Sequence, residues 1–100
     1  MRQTDLAKLK NAAYLLKCMA HPLRLSLLCA LSEHGELSAG DLVELEKNTA
    51  SQSHVSQYLA SLRKFKLVAT RRDKQTIYYR LVSKEVKAIL KTLAALYCKK

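Results

Sequence analysis

The chain has too few cysteines for a disulfide-rich scaffold, and their spacing excludes other kinds of site. The sequence contains three cysteines, none of them in a C-x-x-C pair. Disulfide-rich scaffolds, zinc knuckles and thioredoxin-type centres need more cysteines or that spacing, so none of them is expected. The sequence also lacks a long apolar run and any segment that resembles a signal peptide. These absences predict a cytoplasmic protein that does not enter a membrane.

Acidic residues are also few, and this imbalance points to a class of partner. Eight Asp and Glu stand against 18 Lys and Arg, which gives a net charge of +10 and a pI near 9.8. Such an excess favours a polyanionic partner, nucleic acid above all, over an acidic small molecule. Repeats and linkers are absent, so we expect one domain over residues 1–100. A core of this size gains from burial between two copies, which predicts a homodimer.

Two helices are predicted in the first third of the chain. Apolar residues recur at helical spacing over residues 4–19, with Thr4 as a possible cap. Pro22 separates the two helices, because proline disfavours a helical residue before it and fits the first turn of the helix that follows. The second helix runs to about His34, and Gly35 ends it. Its apolar residues cover nearly the whole circumference, which is typical of a helix buried between others.

A helix-turn-helix pair follows. Ser38 and Asp41 form a box-like cap for a short third helix, which ends near Glu46. After a turn over residues 47–50, Ser51 can cap a fourth helix. Two helices joined by such a short turn form the helix-turn-helix motif.

The fourth helix has two different faces. Val55, Leu59 and Leu62 fall at i, i+4 and i+7 and predict a buried stripe. The opposite face carries the polar residues Gln52, Ser53, His54, Ser56 and Gln57. Side chains of this kind can donate to and accept from base edges in the major groove of DNA. The sequence therefore predicts a recognition helix.

A basic hairpin comes next. Residues 67–70 and 76–81 are predicted strands, and the turn Arg71–Gln75 between them is suited to gripping phosphate. The cations of this region, set against the single acid Asp73, are Arg63, Lys64, Lys66, Arg71, Arg72 and Lys74. A helix followed by a basic hairpin predicts a winged helix-turn-helix, mainly α with a small β-hairpin wing.

The last predicted helix begins after Ser83. Its apolar stripe consists of Val86, Ile89, Leu90, Leu93 and Tyr97. The first and last helices both carry apolar stripes that a small domain can hardly cover. We therefore expect them to pair with the same helices of a second copy.

Several of these motifs together resemble the ArsR/SmtB family of transcription regulators. They are Met19-Ala20-His21-Pro22-x-Arg24, Leu37-Ser-x-x-Asp-Leu42, the run Ser51–Arg63, Leu67-Val68 and Arg71-Arg72-x-x-Gln75-x-x-Tyr78-Tyr79-x-Leu81. The resemblance implies a winged-helix homodimer bound to double-stranded DNA at an inverted-repeat operator. It assigns base reading to Ser53, His54, Ser56 and Gln57, and backbone contacts to Arg63, Arg71, Arg72 and Lys74. Two departures, Tyr58 in place of the usual His and a turn about two residues longer before Ser51, bear on the operator sequence.

Two inducer sites of this family are missing from the sequence. The arsenic-type site needs two cysteines in the third helix, where this chain has Ser38 and Gly40. The zinc-type site needs Asp and His pairs along the last helix, where the only carboxylate is Glu85. Metals of either class need those ligands, so neither site is predicted.

The remaining candidates are Cys29 and Cys98. Leu28-Cys29-Ala30-Leu31 and Tyr97-Cys98 resemble the pattern of the dithiol subgroup, whose members respond to persulfides or oxidants. The resemblance implies that oxidation or persulfidation of this pair weakens operator binding. Lys99 and Lys100 next to Cys98 favour its thiolate. Cys29 taken alone also fits a small hydrophobe of the core.

Two alternatives stay open at this point, and a third lacks the residues that it needs. Cys18 and His21, with Cys29 or Cys98, could bind a thiophilic ion in a metal-sensing repressor. Alternatively, the protein could activate genes constitutively by displacing a silencer, with structural cysteines. A thiol enzyme would need a base beside a low-pKa cysteine, and the only histidines outside the predicted recognition helix are His21 and His34. No enzymatic role and no cofactor are therefore predicted.

Overall fold

A computed structural model describes residues 5–97, and the predictions for Thr4 and Cys98 lie outside these described residues. The elements in chain order are α1 (Leu6–Met19), α2 (Pro22–His34), β1 (Glu36–Ser38), α3 (Ala39–Leu45), α4 (Gln52–Lys64), β2 (Val68–Asp73), β3 (Thr76–Leu81) and α5 (Lys84–Tyr97). The predicted fold class is confirmed, since the chain is mainly helical with a small antiparallel sheet.

The boundary between α1 and α2 forms as the sequence predicts. The two helices meet at an angle of 93°. Pro22 takes the first helical position of α2, and the Nδ1 atom of His21 accepts a hydrogen bond of 3.1 Å from the Leu23 amide. Gly35 ends α2 with a φ of 82°, a conformation that costs glycine little, and its amide donates to the Leu31 carbonyl.

The burial of α2 differs from the prediction on one side. Leu27, Leu28 and Leu31 are buried in the core, but Cys29 is exposed. The expectation of a helix buried all round is therefore wrong at Cys29. The reason lies in packing, because α2 contacts α4, the β1 and β3 strands and α5, and these neighbours leave the side that carries Cys29 facing solvent.

The helix-turn-helix pair, α3 and α4, is confirmed with both of its caps. The Ser38 hydroxyl accepts from the Asp41 amide at 3.0 Å, and the Asp41 carboxylate accepts from the Ser38 amide at 3.2 Å, which completes the capping box. The Ser51 hydroxyl accepts from the His54 amide at 3.1 Å. The stripe on α4 is buried against the rest of the core, as predicted, and consists of Val55, Leu59 and Leu62.

The wing has one strand more and a tighter turn than the sequence predicts. The short strand β1 pairs antiparallel with β3, so the sheet order is β1-β3-β2. Strand β2 continues through Asp73, which pairs with Thr76, and leaves Lys74–Gln75 as the turn. The predicted five-residue turn Arg71–Gln75 is therefore wrong. A two-residue hairpin turn needs positive φ, and Lys74 supplies it at 59°.

The last helix closes the core. The Ser83 hydroxyl accepts from the Val86 amide at 3.2 Å, as expected for a cap, and Val86 and Leu90 are buried. Tyr97, the last residue of the predicted stripe, is exposed. Within the described part of the chain, no single helix is long and apolar enough to cross a membrane, although α1 and α2 meet that criterion when they are taken together across their bend.

Candidate nucleic-acid interface

The polar face of α4 is exposed and does not pack against the protein core. All five residues predicted to face DNA are exposed, namely Gln52, Ser53, His54, Ser56 and Gln57. The stripe behind them fixes the helix, because Val55 and Leu62 are fully buried. Local sequence produces this arrangement, since the Ser51 cap sets where the helix begins and helical spacing then sets which residues point outward.

His21 and Tyr58 join α4 to the junction of α1 and α2. The His21 Nδ1 atom already accepts from the Leu23 amide, so a neutral ring carries its proton on Nε2. That Nε2–H donates to the Tyr58 hydroxyl over 2.9 Å, and the two rings stack with centroids 4.5 Å apart. Tyr58, a departure from the family pattern, therefore has a structural partner.

Arg24 packs between two aromatic rings of the same region. Its guanidinium carbon lies 5.3 Å from the centre of the Tyr58 ring and 5.4 Å from that of Phe65, both within cation–π range. Its Nε atom is buried and makes no hydrogen bond within residues 5–97. Arg24 thus supports the position of α4.

The turn between α3 and α4 is organised around Glu46. This residue is only 9% exposed, and its Oε2 atom accepts a hydrogen bond of 2.9 Å from the Ser26 hydroxyl on α2. Its carbonyl accepts from the Thr49 hydroxyl at 3.1 Å and from the Ala50 amide at 2.9 Å. The turn before Ser51 is therefore tied to α2 through Glu46.

Arg71 has a protein partner that the sequence did not reveal. Its Nη2 and Nε atoms donate to the Glu36 carboxylate at 2.7 and 2.9 Å, and its guanidinium lies 4.2 Å from the centre of the Tyr78 ring. The hydrogen bonds from Arg71 lower the pKa of Glu36 and raise that of Arg71. A phosphate contact by Arg71 must therefore compete with Glu36.

The other predicted backbone contacts are more accessible. Arg63, Arg72 and Lys74 are exposed, and within the described chain none of them forms an ion pair with a carboxylate. Arg72 and Arg71 are neighbours on β2, so their side chains point to opposite faces of the sheet. Of the predicted phosphate contacts, Arg63 at the end of α4 and Arg72 and Lys74 on the wing are therefore not engaged by carboxylates.

Glu36→Gln is expected to increase the salt dependence of DNA binding. The amide cannot form the charged pair, so Arg71 becomes available to phosphate, and the slope of log K against log salt steepens by about 0.9 for each protomer. Lowering the pH should have the same effect in the native protein, but only as the pH falls through the depressed pKa of Glu36. Fluorescence anisotropy on one duplex over a salt series measures the slope. Glu85→Gln makes the same charge change at an exposed position of α5 and should leave the slope unchanged. An unchanged slope in Glu36→Gln would contradict the expectation.

The described cysteines lie in different environments. Cys29 is exposed in a cavity that is also lined by Lys87 and Lys91 of α5, whereas Cys18 is buried. The electrostatic effect of Cys18, together with partial desolvation and a hydrogen bond to Cys18, raises the pKa of Tyr14. Within residues 5–97, no three His, Cys, Asp or Glu side chains lie close enough together to hold a metal ion. The structure therefore does not assemble Cys18, His21 and Cys29 into a metal site.

Sequence reasoning missed the residues that hold the interface in place. Glu36, Arg24 and Glu46 act through partners that are distant in the chain, and no local periodicity marks such pairs. The one local signal is the His21-Pro22-x-Arg24 motif, which belongs to the family pattern but does not by itself indicate what Arg24 contacts. The residues of the exposed face were found because their positions follow from one helix alone.

Comparison with known proteins gives a consistent result. Residues 21–70 match the profile of the family described as bacterial regulatory protein, arsR family. The transcriptional activator HlyU of Vibrio cholerae serotype O1 is 48% identical to this chain over 88 residues, which are 88% of this chain and 79% of HlyU.

Solved structures agree over nearly the whole chain. Reduced HlyU from Vibrio cholerae N16961 matches with a TM-score of 0.86 and 44% identity, over 98% of this chain and 100% of that one. The transcriptional repressor BigR from Xylella fastidiosa matches with a TM-score of 0.85 and 36% identity, over 100% of both chains.

Proposed function

This chain is a transcriptional regulator of the ArsR family, and we propose that it acts as a homodimer that binds an inverted-repeat operator and releases it when Cys29 and Cys98 are oxidised or persulfidated. The observation that carries the DNA-binding part is the exposed, uncharged face of α4. This face stands above a fully buried stripe and beside the cations Arg63, Arg72 and Lys74. Such an arrangement suits a helix that reads bases while flanking cations contact phosphates.

Footprinting on DNA fragments selected by the reduced protein tests this proposal. We expect protection of two half-sites related by an inverted repeat, with centres about 34 Å apart on one face of the duplex. Hydroxyl-radical cleavage resolves that spacing base by base. Uniform protection without a preferred sequence would contradict operator recognition and would leave only salt-dependent, non-specific binding.

The exposed apolar residues of α1 and α5 support the homodimer. Only Cys18 and Met19 are buried on α1, while the large apolar residues that stay more than half exposed on these two helices are Leu6, Tyr14, Leu16, Leu96 and Tyr97. A second copy packed on these helices would remove that surface from water. We therefore place the dimer interface on α1 and α5.

Leu16→Glu is expected to weaken the dimer at least a hundredfold. Each dimer contains two copies of this leucine, and burying the exposed half of each contributes about 1 kcal/mol, to which the cost of a buried carboxylate in each copy is added. Sedimentation velocity over a concentration series measures the dissociation constant. Leu45→Glu on α3 is a matched control, because Leu45 is 53% exposed and Leu16 is 54% exposed. Equal dissociation constants for the two variants would contradict the proposed interface.

The surroundings of Cys29 support the thiol switch. The side chain is exposed, and it shares its cavity with two lysines of α5, whose positive charges favour a reactive thiolate. Along α5, Lys87, Lys91 and Ala94 line this cavity, and Cys98 follows Ala94 by four residues in the sequence. A covalent link between Cys29 and Cys98 would connect α2, which contacts α4, to the proposed dimer interface.

Cys29→Ser is expected to keep the operator affinity of the reduced wild type and to lose the response to persulfide. Serine preserves the size of the side chain but cannot form sulfur–sulfur bonds. Anisotropy before and after treatment with a polysulfide measures the response. Cys18→Ser is the comparison, since Cys18 is buried and should leave the response intact if the fold is retained. A full response in Cys29→Ser would refute the role of this thiol.

The direction of the transcriptional output needs a separate measurement. Among the relatives, HlyU is named an activator and BigR a repressor. Activation and repression are both compatible with a regulator whose binding to the operator is weakened when its cysteines are modified. A reporter gene placed behind the footprinted operator, in cells with and without the regulator, distinguishes a repressor from an activator that displaces a silencer.

A further inference from the structure

The cavity beside Cys29 has the dimensions of a small-molecule site. It measures about 510 Å³ and lies between the second half of α2 and one face of α5. Gly35 forms part of its wall, and a Cβ atom added there would meet nothing within 4 Å. Pockets of this volume typically accept small organic molecules. The thiol of Cys29 is therefore accessible to a reagent larger than a single sulfur atom.

The charges that line this cavity favour an anion. Lys87 and Lys91 are four residues apart, so they project from the same face of α5, and both side chains are exposed. Glu33 is the only acidic residue of the described lining, which leaves an excess of one positive charge. Within residues 5–97, neither lysine forms an ion pair with a carboxylate. Their charges therefore remain available to a ligand.

We propose that this cavity selects anionic sulfur compounds of low molecular weight, with Lys87 and Lys91 binding the anionic group while Cys29 attacks the sulfur. The compounds are persulfides or disulfides of thiols that carry a carboxylate. This inference rests on the proposed function, in which Cys29 is the reacting thiol. It adds a selection step before the chemistry and assigns that step to two residues of α5.

The reaction is a substitution at sulfur. Cys29 first loses its proton to solvent, and its thiolate attacks the outer sulfur of a persulfide R–S–SH. A bond forms between Cys29 and that sulfur, the sulfur–sulfur bond of the reagent breaks, and R–S⁻ leaves with the electron pair. The products are Cys29–S–SH and the free thiolate. The lysines stabilise the negative charge of the reagent during the approach and that of the thiolate as it leaves.

Reagents of different charge separate recognition from thiol activation. The test uses full-length protein with Cys98→Ser, which preserves the mixed disulfide, and follows labelling of Cys29 by peptide mass spectrometry. The reagents are dithiobis(nitrobenzoate), which is anionic, dithiodipyridine, which is uncharged, and cystamine, which is cationic. The measured quantity is the ratio of the anionic rate constant to the uncharged one, because a change in thiol pKa affects both alike.

Lys87→Gln with Lys91→Gln should lower this ratio roughly tenfold, the combined effect of two exposed ion pairs. Glu33→Gln should raise the ratio, and high salt should reduce it. The rate constant with cystamine, divided by that with uncharged dithiodipyridine, should rise in the double lysine variant. Lys10→Gln with Lys17→Gln makes the same charge change on α1, outside the cavity, and should leave the ratio near that of the wild type.

Two results would overturn the inference. If the double lysine variant reacts more slowly with all three reagents by the same factor, the lysines only activate the thiol. If both its rate constants and their ratio are unchanged, the lysines do not act at Cys29. The reaction is measured without DNA, so its outcome is independent of whether thiol modification releases the operator. Failure of charge selection and failure of the proposed switch are therefore separate results.

Discussion

Gln57→Ala is expected to lower the affinity for the operator by roughly tenfold to a hundredfold for each of the two half-sites. The Gln57 side chain lies on the exposed face of α4, one helical turn after Ser53, and its amide can both donate to and accept from adenine in the major groove. Each such bidentate contact contributes about 1–3 kcal/mol to discrimination between bases. Because glutamine is uncharged, its loss should not alter the salt slope. Anisotropy titrations at a fixed salt concentration measure the affinity.

The control for this prediction separates base recognition from general binding. Affinity for a duplex of unrelated sequence should remain unchanged in Gln57→Ala, so the specificity ratio falls as much as the operator affinity does. Gln75→Ala makes the same substitution at the exposed turn of the wing and should change the operator affinity only slightly. An equal loss of affinity for operator and unrelated DNA would mean that Gln57 does not read bases.

Leu62→Ala is expected to reduce the free energy of unfolding by about 2–5 kcal/mol. Leu62 is fully buried on the inner stripe of α4, so truncation removes apolar contacts and leaves a cavity between the recognition helix and the core. The loss is a large part of the 5–15 kcal/mol that small domains possess. Urea denaturation followed by circular dichroism, at one protein concentration, measures it.

Leu45→Ala is the matched control, since the same atoms are removed from a side chain that is 53% exposed. Its cost should stay within about 0.5 kcal/mol. Similar losses for the two variants would contradict the burial of the α4 stripe. A loss confined to Leu62→Ala would show that the core fixes the helix that carries the exposed polar face.

Helix α4 could be predicted because its determinants are local. Ser51 caps its own helix, and the positions of Val55 and Leu62 follow from helical spacing. The same reasoning located the capping box at Ser38 and Asp41. In each case the residues that decide the structure lie within about three turns of one another, so tertiary packing had little opportunity to override them.

The wing was predicted less completely because its structure depends on distant pairings. Three residues, Glu36–Ser38, are too short to show an alternating pattern, and their partner is β3, much later in the chain. The basic residues Arg71 and Arg72 suggest a turn by composition alone. They extend β2 instead, because register with Tyr78 and Ile77 continues the ladder. The pair between Arg71 and Glu36 then crosses the sheet, which no local signal could indicate.

Burial on α2 illustrates a different limit. An all-round apolar helix predicts all-round burial, yet the neighbours of α2 leave the side of Cys29 open. The sequence pattern records which side chains can be buried, and only the packing decides which ones are. In this chain, the open side is the one that carries the proposed sensing thiol.

Operator affinity measured before and after persulfide treatment, with mass spectrometry of the cysteine peptides, tests the central claim most directly. The account predicts that the reduced protein binds tightly and that treatment lowers the affinity by roughly tenfold or more, a typical coupling between two sites. The loss should accompany a crosslink between Cys29 and Cys98, whose mass gives the number of sulfur atoms. Full affinity with both cysteines modified would contradict the switch.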